Sequence, residues 1–97
     1  MNLFPLFFFL FFEFGEKLYL FNCAVCHPLG KNLILPEKNL KKESLEATGM
    51  NSIFSLSYQI RNGKNGMPAF GDRLKQEEIE QIALYILEAA DKNFENP

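Results

Sequence analysis

Cys23-Ala24-Val25-Cys26-His27 sets two thiols three residues apart, with a histidine directly after the second. That is the spacing of c-type haem attachment. At a helix end, residues i and i+3 share a face, so both sulfurs can bond to the two vinyl groups of one porphyrin while His27 reaches its iron. Other uses of these residues lack partners. A thioredoxin-like site needs a βαβ setting, and no strand-like alternation stands near the motif. A closed zinc site wants four N or S ligands, and the chain has no Cys or His beyond these three. A disulfide between Cys23 and Cys26 would close too short a loop to stabilise much.

His27 is the single histidine, so the opposite face of the iron is left to a methionine, a lysine or an open position. Of Met1, Met50 and Met67, only Met67 lies in a constrained loop, Asn65-Gly66-Met67-Pro68-Ala69-Phe70-Gly71. Glycine permits sharp turns and Pro68 fixes one dihedral, which together can hold a thioether in place. Met67 is therefore the expected second axial ligand, in the His/Met arrangement that raises reduction potential. Met50, between Gly49 and a helix start, reads as a core filler.

The elements that must position these groups are helices separated by turn signals. Residues 13–22 place Phe14, Leu18 and Phe21 near helical spacing and deliver the motif at their end. Residues 28–39, with Gly30 and Pro36, form an irregular loop able to pass along the haem edge. A short helix over 40–47 stops at Thr48-Gly49. Asn51 or Ser52 caps the next, where Ile53, Leu56 and Ile60 make an apolar stripe ended by Asn62-Gly63. The last helix, about 75–91, carries Ile79, Ile82, Ala83, Ile86, Leu87 and Ala90 on one face, read as core, with Leu84 and Tyr85 flanking it to meet Gly15 and Tyr19.

Ninety-seven residues make one domain whose core is marginal without a prosthetic group. A formal charge of -2 excludes a generally basic nucleic-acid binder. Residues 1–12 stand apart. They carry no charged side chain, and seven phenylalanines fall within the first fourteen positions. The stretch resembles the apolar part of a secretory signal, without a basic start or a small-x-small cleavage site, and is too short to span a membrane. The expected organisation is an apolar leader over 1–12, as a truncated signal or a mistaken start, and a domain over 13–97.

Gly15-Glu16-Lys17-Leu18-Tyr19, the haem motif, Asn39-Leu40-Lys41-Lys42, Tyr58-Gln59-Ile60 and the string from Asn62 to Gly71 together resemble algal and cyanobacterial cytochrome c6. The resemblance runs from Phe14 to about Asp91, and the Met-Pro-Ala-Phe string is its most specific part. It implies an all-α, class I cytochrome c fold of four to five helices around one covalently bound haem c. It implies a monomeric electron-transfer protein rather than an enzyme, carrying single electrons from cytochrome b6f to photosystem I in the thylakoid lumen. By position, Cys23 and Cys26 would form the thioethers, His27 and Met67 would hold the iron, and Gln59 would lie near the haem. Pro28-Leu29-Gly30 departs from the Gly-rich stretch common after the family's motif, and Asp72 stands where a second glycine is frequent.

Residues 31–75 hold eight basic and four acidic side chains, whereas residues 76–97 hold six acidic and one basic. Such asymmetry can orient a charged partner, with Lys64 and Arg73 near the ligand loop as contact candidates. Two rival functions remain open at this level. A haem enzyme needs an open iron and a distal acid or base, for which no second histidine exists. A membrane-tethered redox subunit would require the Phe-rich segment to persist.

Overall fold

The structure, a computed structural model, describes residues 4–94, with side chains from residue 13 onward. Four α-helices follow one another: α1 (Phe4–Asn22), α2 (Lys42–Ala47), α3 (Ile53–Asn62) and α4 (Gln76–Asp91). Single 3-10 turns at Pro28–Gly30 and Pro36–Lys38 punctuate the long loop after α1. Among the described residues there is no strand, only an isolated bridge between Lys64 and Met67. The all-α expectation therefore holds.

α4 is the centre of the fold and packs on α1, α3 and α2. Because three elements surround it, its buried face is wider than one stripe. Ile79, Ile82, Ala83, Ile86 and Ala90 are buried as their spacing requires, and Tyr85 and Ala89 join them, while Leu87 is half-buried. The helix begins with the Glu78 carboxylate accepting from the Lys75 N–H at 2.8 Å, which satisfies one of the free donors of the first turn.

α1 and α4 meet at Gly15. A Cβ there would stand 2.4 Å from the Gln81 carbonyl oxygen and 2.9 Å from Tyr85 Cβ, so the absence of a side chain is what lets the two backbones approach. One turn later the Tyr19 and Tyr85 rings lie 5.1 Å apart, a tilted pair of the kind that contributes about 0.5–1.5 kcal/mol beyond burial. The pairing of Gly15 and Tyr19 with Tyr85 is thus as the sequence suggests. Phe94, past the end of α4, completes the cluster at 6.0 Å from Tyr19 and 6.4 Å from Tyr85, a role no periodicity announces.

α2 starts two residues later than expected, with Lys41 at its N-cap. α3 begins where Ser52 Oγ accepts from the Ser55 N–H at 3.1 Å, and ends at Gly63, whose φ of 70° only glycine adopts freely. Of its predicted stripe, Leu56 and Ile60 are buried. Ile53 is 41% exposed, because the helix engages α4 through its later turns, where Ser57 also turns inward.

The backbone of α1 runs without interruption past residue 12. The side chains of the expected leader, residues 1–12, and the terminus at 95–97 lie outside the described residues. No helix among the described residues is long and apolar enough to cross a membrane.

Candidate functional site

Cys23, Cys26, His27 and Met67 line one cavity of ≈ 510 Å³ enclosed by the long loop, α2, α3 and the segment after α3. Its walls are largely apolar, including Leu40, Leu45, Leu56, Ile60, Phe70 and Ile86. A cavity of this size and lining suits a large flat apolar group with a few fixed polar attachments.

The motif leaves α1 through a tight turn. The Cys23 and Ala24 N–H groups both donate to the Tyr19 carbonyl, at 2.8 and 3.0 Å, and the His27 N–H donates to the Cys23 carbonyl at 2.9 Å. The two cysteines are not joined in a disulfide. Cys23 is buried, and burial, reinforced by the neighbouring Cys26, pushes its thiol up to about 12.

His27 Nδ1 sits 2.8 Å from the Lys31 carbonyl oxygen. A carbonyl can only accept, so the proton is on Nδ1 and the lone pair is on Nε2, the nitrogen left for a metal. Burial lowers the pKa of the ring, and the hydrogen bond to the Lys31 carbonyl opposes that in part. A neutral imidazole with a fixed tautomer is the form that ligates iron.

Met67 lines the same cavity from a short loop. Lys64 and Met67 exchange backbone hydrogen bonds at 3.1 and 2.9 Å, with Asn65 in the left-handed region at φ 54°. The turn residue is therefore Asn65 and not Gly66. Past Pro68 the loop is tied back to α3 by Phe70 N–H to the Ile60 carbonyl, 3.0 Å, and Gly71 N–H to the Arg61 carbonyl, 3.1 Å. Gln59 Nε2 lies 3.9 Å from Met67 Sδ and donates to it weakly. Met50 lines the same cavity while packing against the core, so its expected role as filler is only part of its placement.

The loop along the cavity edge owes its shape to Asn32. Its Oδ1 accepts from the Ile34 and Leu35 N–H groups at 3.0 and 2.8 Å, and its Nδ2 donates to the Lys38 carbonyl at 3.0 Å. Asparagine turns of this type are local, and Asn32 four residues before Pro36 was the available signal. Tyr19 was recognisable only as a packing residue. Lys64 borders the cavity, while Arg73 lies with its guanidinium 5.0 Å from the Phe70 ring centroid.

The residues fit an iron porphyrin by the chemistry of their donors: two thiols, one tautomer-fixed imidazole and thioether sulfurs around an apolar cavity. Among the described residues there is no group of three or more His, Cys, Asp or Glu that could hold a bare metal ion. Helices packed on α4 around such a cavity, with Cys-x-x-Cys-His at the end of the first, define a class I c-type cytochrome. Residues 12–86 match the family model described as cytochrome C oxidase, cbb3-type, subunit III. Cytochrome c6 of Bumilleriopsis filiformis is 49% identical over 83 residues, 86% of this chain and 96% of the relative. That of Pyropia tenera is 52% identical over 80 residues, 82% and 94% of the two chains. The crystal structure of cytochrome c6 from the diatom Phaeodactylum tricornutum superposes with a TM-score of 0.82 at 44% identity, covering 84% of this chain and 97% of that one. The chain belongs to the cytochrome c6 family. Its cofactor is one covalently bound haem c with its iron, and it is an electron-transfer protein rather than an enzyme.

Proposed function

We propose that this chain carries single electrons from cytochrome b6f to photosystem I in the thylakoid lumen, as a monomer, with Cys23 and Cys26 as thioether anchors and His27 and Met67 as axial ligands. The observation that carries the reading is the convergence of these four residues on one cavity. The names of the relatives, cytochrome c6 from algae such as Pyropia tenera, support the photosynthetic assignment.

The haem supplies a one-electron couple that needs no proton or atom transfer. The chain's own residues do the rest. The Lys31 carbonyl keeps the His27 proton on Nδ1, so Nε2 is free at neutral pH. The loop closed between Lys64 and Met67 limits movement of the thioether, which keeps reorganisation on electron transfer small. Leu56, Ile60 and Phe70 line the cavity with apolar surface, which would keep water from a bound haem and so favour its less charged reduced form. Lys64 and Arg73 supply positive charge by the ligand loop for meeting an acidic partner surface.

Residues 1–12 are read as a leader separate from the 13–97 domain. Deleting them behind an ordinary export signal leaves a spectrally normal cytochrome under this reading, and loss of the haem pocket would make them structural.

The deciding experiment is flash-induced electron transfer to photosystem I particles. The reduced holoprotein should rereduce the photo-oxidised reaction centre at rates that fall with salt and with Lys64→Gln. Failure to react with photosystem I, alongside rapid reaction with a terminal oxidase, would favour an oxidase-linked carrier, the reading suggested by the name of the matching family model.

A further inference from the structure

Tyr19 brings a buried hydroxyl to the turn that carries the histidine. Its side chain is 1% exposed, between α1 and α4, and its ring is held by Tyr85 at 5.1 Å and Phe94 at 6.0 Å. Packing alone would be served by a phenylalanine. The hydroxyl, however, donates to the His27 carbonyl and accepts from the Gly30 N–H at 3.3 Å. The same Gly30 N–H also reaches the His27 carbonyl at 3.2 Å, and the Lys31 N–H donates to the Pro28 carbonyl at 3.0 Å. Residues 27–31 thus form a small closed turn with the Tyr19 oxygen at its middle. The last carbonyl of that turn, on Lys31, is the one that receives His27 Nδ1–H.

We infer that Tyr19 is a positioning residue for the imidazole of His27: its hydroxyl fixes the turn of residues 27–31, and the turn fixes the ring. The inference rests on the reading of His27 as the axial ligand. The chain of causes is short. Moving the His27 carbonyl or the Gly30 amide re-aims the Lys31 carbonyl, and that carbonyl sets both the tautomer and the rotation of the ring. The turn needs the external anchor because Leu29 holds φ 52°, a left-handed conformation unfavourable for a branched side chain, and Gly30 follows at φ 81°. A strained turn without a buried partner would relax. Phe94 closes the other side: a Cβ on Gly30 would stand 2.5 Å from its ring, so the turn is pressed onto Tyr19 from the C-terminal end of the chain.

The test is Tyr19→Phe in the full-length, haem-loaded protein, beside Ile82→Val, which removes one methylene from a fully buried position of α4 and no polar atom. Both variants should unfold at lower denaturant. Only Tyr19→Phe should shift the paramagnetically displaced proton resonances of the His27 ring, speed exchange of its Nδ1 proton about tenfold, and change the reduction potential. Equal His27 signatures in the two variants would reduce Tyr19 to a packing residue and overturn the inference. If Tyr19→Phe does not assemble, the wild-type protein still decides. A Tyr19 hydroxyl proton in slow exchange, seen close to Gly30 N–H, supports the inference, and one exchanging freely with water defeats it. His27→Ala separates this from the ligand assignment: retention of a low-spin spectrum in that variant would remove His27 from the iron whatever Tyr19 does.

Discussion

Gln59 Nε2 lies 3.9 Å from Met67 Sδ, joining the third helix to the loop that follows it at the wall of the cavity. The positive end of an N–H dipole drawn toward a thioether makes that sulfur a weaker donor, which destabilises ferric more than ferrous iron. Gln59→Val should therefore lower the reduction potential while leaving the haem attached and six-coordinate. Voltammetry of the pure proteins checks the sign.

Met67→Ala should spare covalent attachment and open the iron. The weak sulfur-to-iron band of the oxidised protein should vanish, small exogenous ligands should bind, and the potential should fall markedly. Because Met50 lines the same cavity, Met50→Ala is the necessary companion. Retention of the band in Met67→Ala with its loss in Met50→Ala would transfer the role to Met50.

Gly15→Ala places a methyl 2.4 Å from the Gln81 carbonyl oxygen, a backbone atom that cannot rotate away. The two helices must separate to accept it. A loss of roughly 1–3 kcal/mol is expected, as for overpacking in other cores, read as a lower guanidinium midpoint of the holoprotein. An unchanged midpoint would show that α1 and α4 are not in close contact there.

Leu29→Gly should stabilise. Leu29 is 64% exposed and sits at φ 52°, so glycine relieves backbone strain with little loss of burial. The gain, about 1 kcal/mol or less, is what remains after the added freedom of the unfolded chain is deducted. Thermal unfolding of the two holoproteins would register it as a rise of a few degrees.

Alkali should weaken the domain progressively above about pH 10, the ordinary tyrosine value. Burial holds the Tyr19 hydroxyl protonated well above that value, and burial together with Glu16 raises Tyr85 as well. Above about pH 10 the unfolded chain has released protons that the folded chain keeps, so stability falls as pH rises and is indifferent to these groups below that point. Denaturant midpoints measured from pH 7 to 11.5 should bend downward near pH 10, with a shallower slope in Tyr19→Phe.

The attachment chemistry was legible because it is local. Cys23, Cys26 and His27 lie within five residues, where a single tight turn at the end of α1 decides how the groups stand to one another. The same holds for a cap at Asn51 or Ser52, of which the structure uses Ser52, for the Gly63 stop and for the stripe from Ile79 to Ala90, each read from residues a turn or less apart. The meeting of Gly15 and Tyr19 with Tyr85 was also within reach, since a small residue opposite an aromatic at the two chain ends leaves few ways to pair the helices.

Placement of residues far apart in the sequence was decided by the tertiary structure. Whether Met50 lay within reach of the cavity could not be read from its neighbours, because cavity walls are assembled from several elements at once. Ile53 matched its helical stripe and still came out exposed, since periodicity gives a face but not the length of the contact. The hydroxyl of Tyr19 reaches the carbonyl of His27 eight residues on, and Phe94 closes on both from the far end of the chain. The sequence by itself determined which chemistry the chain carries and where its helices end, because those depend on bonded neighbours. Only packing around α4 decided which side chains converge on that chemistry, because that depends on how the remaining apolar surfaces are buried together.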